Sequence, residues 1–307
     1  MPNSEGKMKE RVGFIGLGLM GAPMAGHILA KGWPLTVLAH RRREAVDKLV
    51  ALGATEAGTP RQLAARSDVV VLCVTGSKEV RGVVEGEDGL AAAGVPLLIV
   101  DCSTSDPAVT LALAQSLAPR GVKLVDAPLA RTPKEAEEGA LDCMLGGDDE
   151  AAARAIPILE AFSRRVLRTG PIASAHTMKL INNFLSMGYA SLYAEALTLG
   201  LKAGITPSTF DSVVRGGRMD CGLYQMFFAH VLDGDPDKFR FALKNALKDM
   251  SYLAAFANAV GAVNPFGAAV RNGFAAAVAG GFGERYVPAL FDFVAAANGV
   301  LPSAEEA

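Results

Sequence analysis

The chain has 307 residues, half of them hydrophobic and 20% charged, with a formal net charge of −2. This is enough apolar material for two domains of ordinary size and too much for a disordered chain. The near-neutral balance excludes the electrostatic footprint of a nucleic-acid or anionic-membrane binder, and the basic run His40-Arg41-Arg42-Arg43 is too short for a nucleic-acid arm.

In the first half, short apolar runs alternate with helical patterns. VGFI (12–15), LTVL (35–38), VVVLCV (69–74), LLIVD (97–101) and VKLVDAP (122–128) read as strands covered on both faces, because they do not alternate and are rich in Val, Leu and Ile. Segments of helical period lie between them, several ending in glycine. Such alternation predicts an α/β Rossmann domain, a doubly wound parallel sheet. LDCMLGG (141–147) and RVLRTG (165–170) are expected to add the last strands. Beyond about residue 170, alanine-rich helical patterns follow one another without a convincing strand. The expected division is a dinucleotide-binding domain over 1–172 and an all-helical domain over 173–307, with ligands favouring such a domain junction.

Gly16, Gly18 and Gly21 of GLGLMG have GxGxxG spacing, follow a predicted strand and open a predicted helix, which is the context of a dinucleotide fingerprint. Gly16 permits the turn, Gly18 the approach of a pyrophosphate, and Gly21 the packing of helix on strand. Leu17, Leu19 and Met20 would line the same loop. The second strand ends at Ala39 with no Asp or Glu to bind ribose hydroxyls. His40, Arg41 and Arg42 follow, and a guanidinium suits a 2′-phosphate, so NADP is the expected cofactor, with NAD possible. Arg43 reads rather as decoration of the next helix.

Residues 176–183 read HTMKLINN, opening a helix that otherwise looks built for burial. Lys179 and Asn183 share one helix face, while Asn182 points about 100° away. Hydride transfer at carbon needs a group that moves a proton at oxygen. A lysine made less basic by desolvation can do so, with a carboxamide one turn away holding the oxygen or the lysine. A surface lysine on an amphipathic helix is the other reading that the periodicity allows. His176, one turn before Lys179, is placed to contact it, but a histidine at a helix start reads rather as a polar surface residue.

Four cysteines form no CxxC pair, and no His/Cys spacing suits zinc. Free thiols, a polar amino-terminal segment without a signal core, and a longest charge-free run (180–194) too short to span a bilayer point to the cytoplasm as the expected location.

GFIGLGLMGAPMA (13–25), DCSTSDP (101–107), DAPLARTP (126–133), GALDCMLGG (139–147), KLINN (179–183) and LKDMSYLA (247–254) together resemble the β-hydroxyacid dehydrogenases, across nearly the whole chain. The resemblance implies that Lys179 is the catalytic acid/base and that Asn183 supports the substrate. It implies that Ser103 and Thr104 lie near the nicotinamide, that Lys248 and Asp249 close the cleft from the helical domain, and that the protein is a homodimer or homotetramer. The chain departs from the family pattern in three places. Ala130, Arg131 and Thr132 replace the Ser-Gly-Gly of the substrate loop, as in the sulfolactaldehyde reductase branch. Arg131 and Thr132 would then hold a small anion, or Arg131 would simply face solvent. Ala173 and Ala175 stand where glycines are frequent. Val74 and Thr75 replace a Leu-Pro pair that contacts the adenine–ribose end of the cofactor.

The leading reading is an NADP-dependent oxidoreductase that interconverts a small anionic aldehyde or keto acid and its β-hydroxy acid, with no nucleic-acid, membrane or metal partner. An imine-reductase-like enzyme is an alternative, disfavoured by Lys179, because those relatives usually lack the lysine. A non-catalytic NADP-binding interaction module is another.

Overall fold

The computed structural model describes residues 9–40 and 42–300. Strand and helix alternate as β1 (Val12–Ile15), α1 (Gly21–Ala30), β2 (Leu35–Leu38), α2 (Glu44–Ala51), β3 (Thr55–Ala57), α3 (Pro60–Ala65), β4 (Val69–Leu72), α4 (Ser77–Glu85), β5 (Leu97–Asp101), α5 (Pro107–Leu117) and β6 (Val122–Asp126). Then come β7 (Leu129–Ala130), α6 (Pro133–Glu137), β8 (Leu141–Gly146), α7 (Asp149–Leu159) and β9 (Ser163–Gly170). The first six strands are parallel neighbours in the order β3-β2-β1-β4-β5-β6, the doubly wound order. β8 runs antiparallel to β6 and β7, and β9 pairs with β8 in parallel.

The unalternating strands explain themselves in the packing. Val12, Phe14, Val69, Val71, Leu98 and Val100 enter one core with Met24 and Ile28 of α1. Their neighbours Ile15, Val70, Leu72, Leu97 and Ile99 enter a second core with Leu63, Val80 and Leu113. Successive side chains point to opposite faces, and each face is covered by helices, so apolar residues follow one another without alternation. The strands expected from sequence are present with ends shifted by up to two residues. β3 and β7 were not expected, since three half-polar residues and two residues carry no periodic signal.

The chain divides into two compact units, Met1–Lys179 and Leu180–Ala307. The division falls inside α8 (Ser174–Lys202) and not at its start, near the expected limit at 172. The second unit continues with α9 (Pro207–Val214), α10 (Gly222–Asp233), α11 (Leu243–Ala259), α12 (Pro265–Ala277) and α13 (Leu290–Ala297). Its core gathers Tyr224, Phe227, Phe228, Phe274 and Phe291, with the rings of Tyr224 and Phe228 stacked at 4.2 Å. α8 is not the uniformly buried helix that its composition suggests. Leu185, Tyr189, Leu192 and Leu199 are exposed, while Leu180, Met187, Ala190 and Leu197 are buried. Among the described residues no helix is long and apolar enough to cross a membrane.

Candidate active site

The turn from β1 into α1 is built around its glycines. Gly16 has φ +105°, which an L side chain rarely adopts, and a Cβ there would meet the Cys73 carbonyl. A Cβ on Gly21 would collide with the Gly16 carbonyl oxygen, whereas Gly18 faces open space. α1 has no side-chain cap and no acidic residue in its first turn. An uncapped helix amino terminus beside an open glycine is a fitting cradle for a pyrophosphate. Leu19 at the tip is exposed, and Leu17 and Met20 pack against the core beneath.

After β2, His40 and Arg42 are exposed, and Arg41 lies outside the described residues. Arg43 is committed elsewhere, at 3.0 Å from both Glu56 on β3 and Asp47 on α2. The hydrogen bonds from Arg43 hold the Glu56 carboxyl below its usual range.

At the ends of β4 and β5, the Val74 N–H donates to Ser103 Oγ at 3.0 Å, so two of the expected contact residues meet each other. Thr75 is exposed and Thr104 half-buried. Ser103 itself is buried, and its N–H donates to Asp101 Oδ1. Asp101 Oδ2 accepts from the Ser105 hydroxyl at 3.0 Å. Nothing in DCSTSDP taken alone signals this network, except an aspartate ending an apolar strand, which needs partners once buried.

The first turn of α8 reverses the expectation for His176. Its side chain is 0% exposed. Nδ1 lies 2.8 Å from Thr110 Oγ1 and Nε2 3.1 Å from the Ser103 carbonyl oxygen. The fully buried Asp126 carboxylate, at the end of β6, accepts from the N–H groups of Ala173 (2.9 Å) and His176 (2.8 Å). The helix start is thus capped by a carboxylate from a distant strand. Lys179, one turn on, is half-buried. Ala173 has φ +71°, so its methyl group sits on a left-handed backbone.

Arg131 is the other non-glycine residue at positive φ among those described, at +85°. The exposed-arginine and anion-holder readings both omitted its neighbour. Arg131 Nε lies 3.4 Å from Asp142 on β8, which Arg164 and Arg165 of β9 also reach, at 2.8 and 2.9 Å. Consecutive strand residues ordinarily point to opposite faces. Here the register slips between Leu141 and Asp142, leaving Arg164 as an extra residue, and both guanidiniums converge on one carboxylate. The hydrogen bond from Arg164 holds the Asp142 carboxyl below its usual range against the cost of burial, and Arg165 adds to it. Three arginines against two carboxylates, Asp142 and the nearby Glu135, leave local positive charge in excess. Thr132 is occupied locally: its N–H and hydroxyl donate to Glu135 Oε2 at 2.9 and 2.5 Å, tying the start of α6.

In the second unit, Asn183 is buried and donates from Nδ2 to Asp249 Oδ2 at 2.6 Å. Lys248 Nζ lies 2.8 Å from Asp249 Oδ1, a Coulombic contact, and 5.0 Å from the centre of the Tyr252 ring. Cysteine nucleophiles are disfavoured in the first unit: burial pushes the Cys73 thiol up to about 12 and raises Cys102 and Cys143 as well.

Two family models cover the chain. Residues 11–170 match the NAD binding domain of 6-phosphogluconate dehydrogenase, and residues 173–293 match the NAD-binding domain of NADP-dependent 3-hydroxyisobutyrate dehydrogenase. The 3-hydroxyisobutyrate dehydrogenase of Pseudomonas aeruginosa is 36% identical over 273 residues, 86% of this chain and 90% of that protein. The chain belongs to the β-hydroxyacid dehydrogenase family. Another member, the 3-sulfolactaldehyde reductase of Escherichia coli K12, is 32% identical over 94% of this chain and 97% of its own length. The solved structure of Psf3 in complex with NADP+ and 2-OPP superposes with a TM-score of 0.80 at 26% identity, covering 92% of this chain and 99% of its own. The chain is accordingly an NAD(P)-dependent hydroxyacid dehydrogenase.

Proposed function

We propose that this dehydrogenase prefers NADP and interconverts a small anionic aldehyde or keto acid with its β-hydroxy acid. The observation that carries the substrate class is Arg131. A long charged side chain occupies a backbone conformation suited to glycine, beside a carboxylate already shared with two further arginines. A left-handed non-glycine residue costs about 1 kcal/mol or more, and such outliers gather at ligand sites. Arg131 gives a carboxylate, sulfonate or phosphonate a forked partner, and the surplus charge around Asp142 frees it to take one. Exposed Arg42 and His40 beyond β2, where no carboxylate stands, support the cofactor preference.

When bound, the nicotinamide supplies or accepts a hydride at carbon. Lys179 gives a proton to the substrate oxygen during reduction and takes it back during oxidation. Asn183, its amide nitrogen committed to Asp249, turns its carbonyl oxygen the other way, as an acceptor for an ammonium or a hydroxyl.

The test is NADPH and NADH oxidation against glyoxylate, succinic, tartronic and methylmalonic semialdehydes and sulfolactaldehyde. Turnover is expected with NADPH on at least one of them. Lys179→Ala should lose about 10²- to 10⁴-fold in kcat with NADPH affinity retained. Arg131→Ala should raise KM for the aldehyde about tenfold or more, the worth of a charge-assisted hydrogen bond. NADH serving as well as NADPH would remove the cofactor preference, and an unchanged KM in Arg131→Ala would remove the anion site.

A further inference from the structure

We propose that His176 is a positioning residue that sets Lys179 against the Ser103–Thr104 segment. The proposal rests on the reading of Lys179 as the proton-transfer group. A fully buried ring cannot touch substrate, so any role it has in turnover passes through what it holds. What it holds are the two parts of the first unit that the chemistry must keep in register. Its backbone belongs to the helix turn carrying Lys179, three residues and about 4.5 Å of helix rise away. Its ring reaches across to the β5–α5 connection and to α5 itself.

The hydrogen bonds assign the ring's working form. The Ser103 carbonyl can only accept, so Nε2 carries the proton and donates to it at 3.1 Å. Nδ1 meets the Thr110 hydroxyl at 2.8 Å, a hydroxyl that also lies 3.2 Å from the Asp106 carbonyl oxygen. The other group facing the ring is the Asp101 carboxylate, 3.8 Å from Nε2, which is already engaged by the Ser103 N–H and the Ser105 hydroxyl. The Ser103 backbone is therefore gripped from both sides, by Asp101 at its N–H and by His176 at its carbonyl. Asp126 takes the His176 N–H. Three attachments, to Ser103, Thr110 and Asp126, thus tie this helix turn to three separate elements of the first unit. A proton-transfer group displaced by about 1 Å can lose about 10²-fold in rate, so a fixed helix turn has kinetic consequences.

A carboxamide can reproduce this pattern, with its NH2 on Ser103 and its oxygen facing Thr110, whereas an aliphatic side chain cannot. The experiment compares His176→Leu, His176→Gln and Lys179→Ala with the parent enzyme, using NADPH and whichever aldehyde of the five above has the highest kcat/KM. His176→Leu is expected to lose about 10²-fold in kcat. Its KM for the aldehyde and its NADPH dissociation constant should stay within about threefold, less than the loss of one hydrogen bond would cause. The primary isotope effect on kcat with NADPH deuterated at the transferred position should grow, because the chemical step becomes limiting. His176→Gln should restore most of the loss. If His176→Leu does not fold, Thr110→Val removes one of the two ring bonds, and the same split is expected at about tenfold.

Unchanged kcat in His176→Leu, or in Thr110→Val when the leucine variant does not fold, would overturn the proposal. So would a fall in kcat, aldehyde affinity and NADPH affinity together that glutamine does not restore. If Lys179→Ala is inactive while His176→Leu is normal, this inference fails and the acid/base reading stands. If Lys179→Ala keeps its turnover, or the parent enzyme is silent on all five aldehydes, the reading falls and takes this inference with it.

Discussion

Two helix starts in the first unit solve the same problem in opposite ways. α1 and α8 each follow a strand through a tight turn, and each begins with backbone N–H groups that the helix itself cannot satisfy. At α1 the turn is made of glycine, the helix has no side-chain cap, and its first turn carries no acid. At α8 the Asp126 carboxylate takes two of the N–H groups, and an alanine occupies the left-handed position. The first start is open to an anion; the second is closed by one the chain supplies itself. A helix amino terminus is therefore an anion site only where the sequence leaves it open, and the residues just outside the helix decide this.

The largest expected effect comes from opening the closed start. Asp126→Ala leaves the N–H groups of Ala173 and His176 buried without their acceptor, at about 2 kcal/mol each. Urea unfolding should show a loss of about 4 kcal/mol, and a loss below about 1 kcal/mol would mean that water fills the gap. Next is the closing of the open start. Gly21→Ala drives a methyl group into the Gly16 carbonyl oxygen and should destabilise the protein by about 2 kcal/mol, as overpacking does. NADPH affinity should fall with it. Normal NADPH binding in this variant would place the pyrophosphate elsewhere. The smallest effect tests the left-handed alanine. Ala173→Gly relieves the backbone at φ +71° and should raise stability by about 0.5–1 kcal/mol, since glycine's extra freedom when unfolded offsets part of the gain. A decrease in melting temperature would show that the methyl group's packing outweighs the strain.

The same contrast explains which features are legible in the sequence. Gly16 and Gly21 announce themselves because only glycine fits, and the spacing repeats the geometry in one-dimensional form. The closed start leaves no such trace. His176 meets Thr110 across 66 residues and Ser103 across 73, and no local pattern links them. The sequence suggests a surface residue because a polar side chain at a helix start ordinarily is one. The sequence suggests that Arg43 decorates the next helix, and its carboxylate partners lie on that helix and on a three-residue strand too short to signal. Arg131 was visible as a departure from glycine, but its setting was not. The convergence of Arg164 and Arg165 on Asp142 depends on a slipped register, which residue types do not encode. Lys179 shows the limit most plainly, since surface and catalytic lysines share the same periodicity.

The slipped register of β9 also bears on solubility. β9 is the outer strand beside β8, and an outer strand offers unpaired backbone groups to any other chain that can lie flat against it. A bulge at its start and three arginines along its eight residues make it a poor template, locally kinked and repelling its own copy. The feature that gathers charge around Asp142 thus also guards the sheet against edge-to-edge aggregation in a concentrated solution.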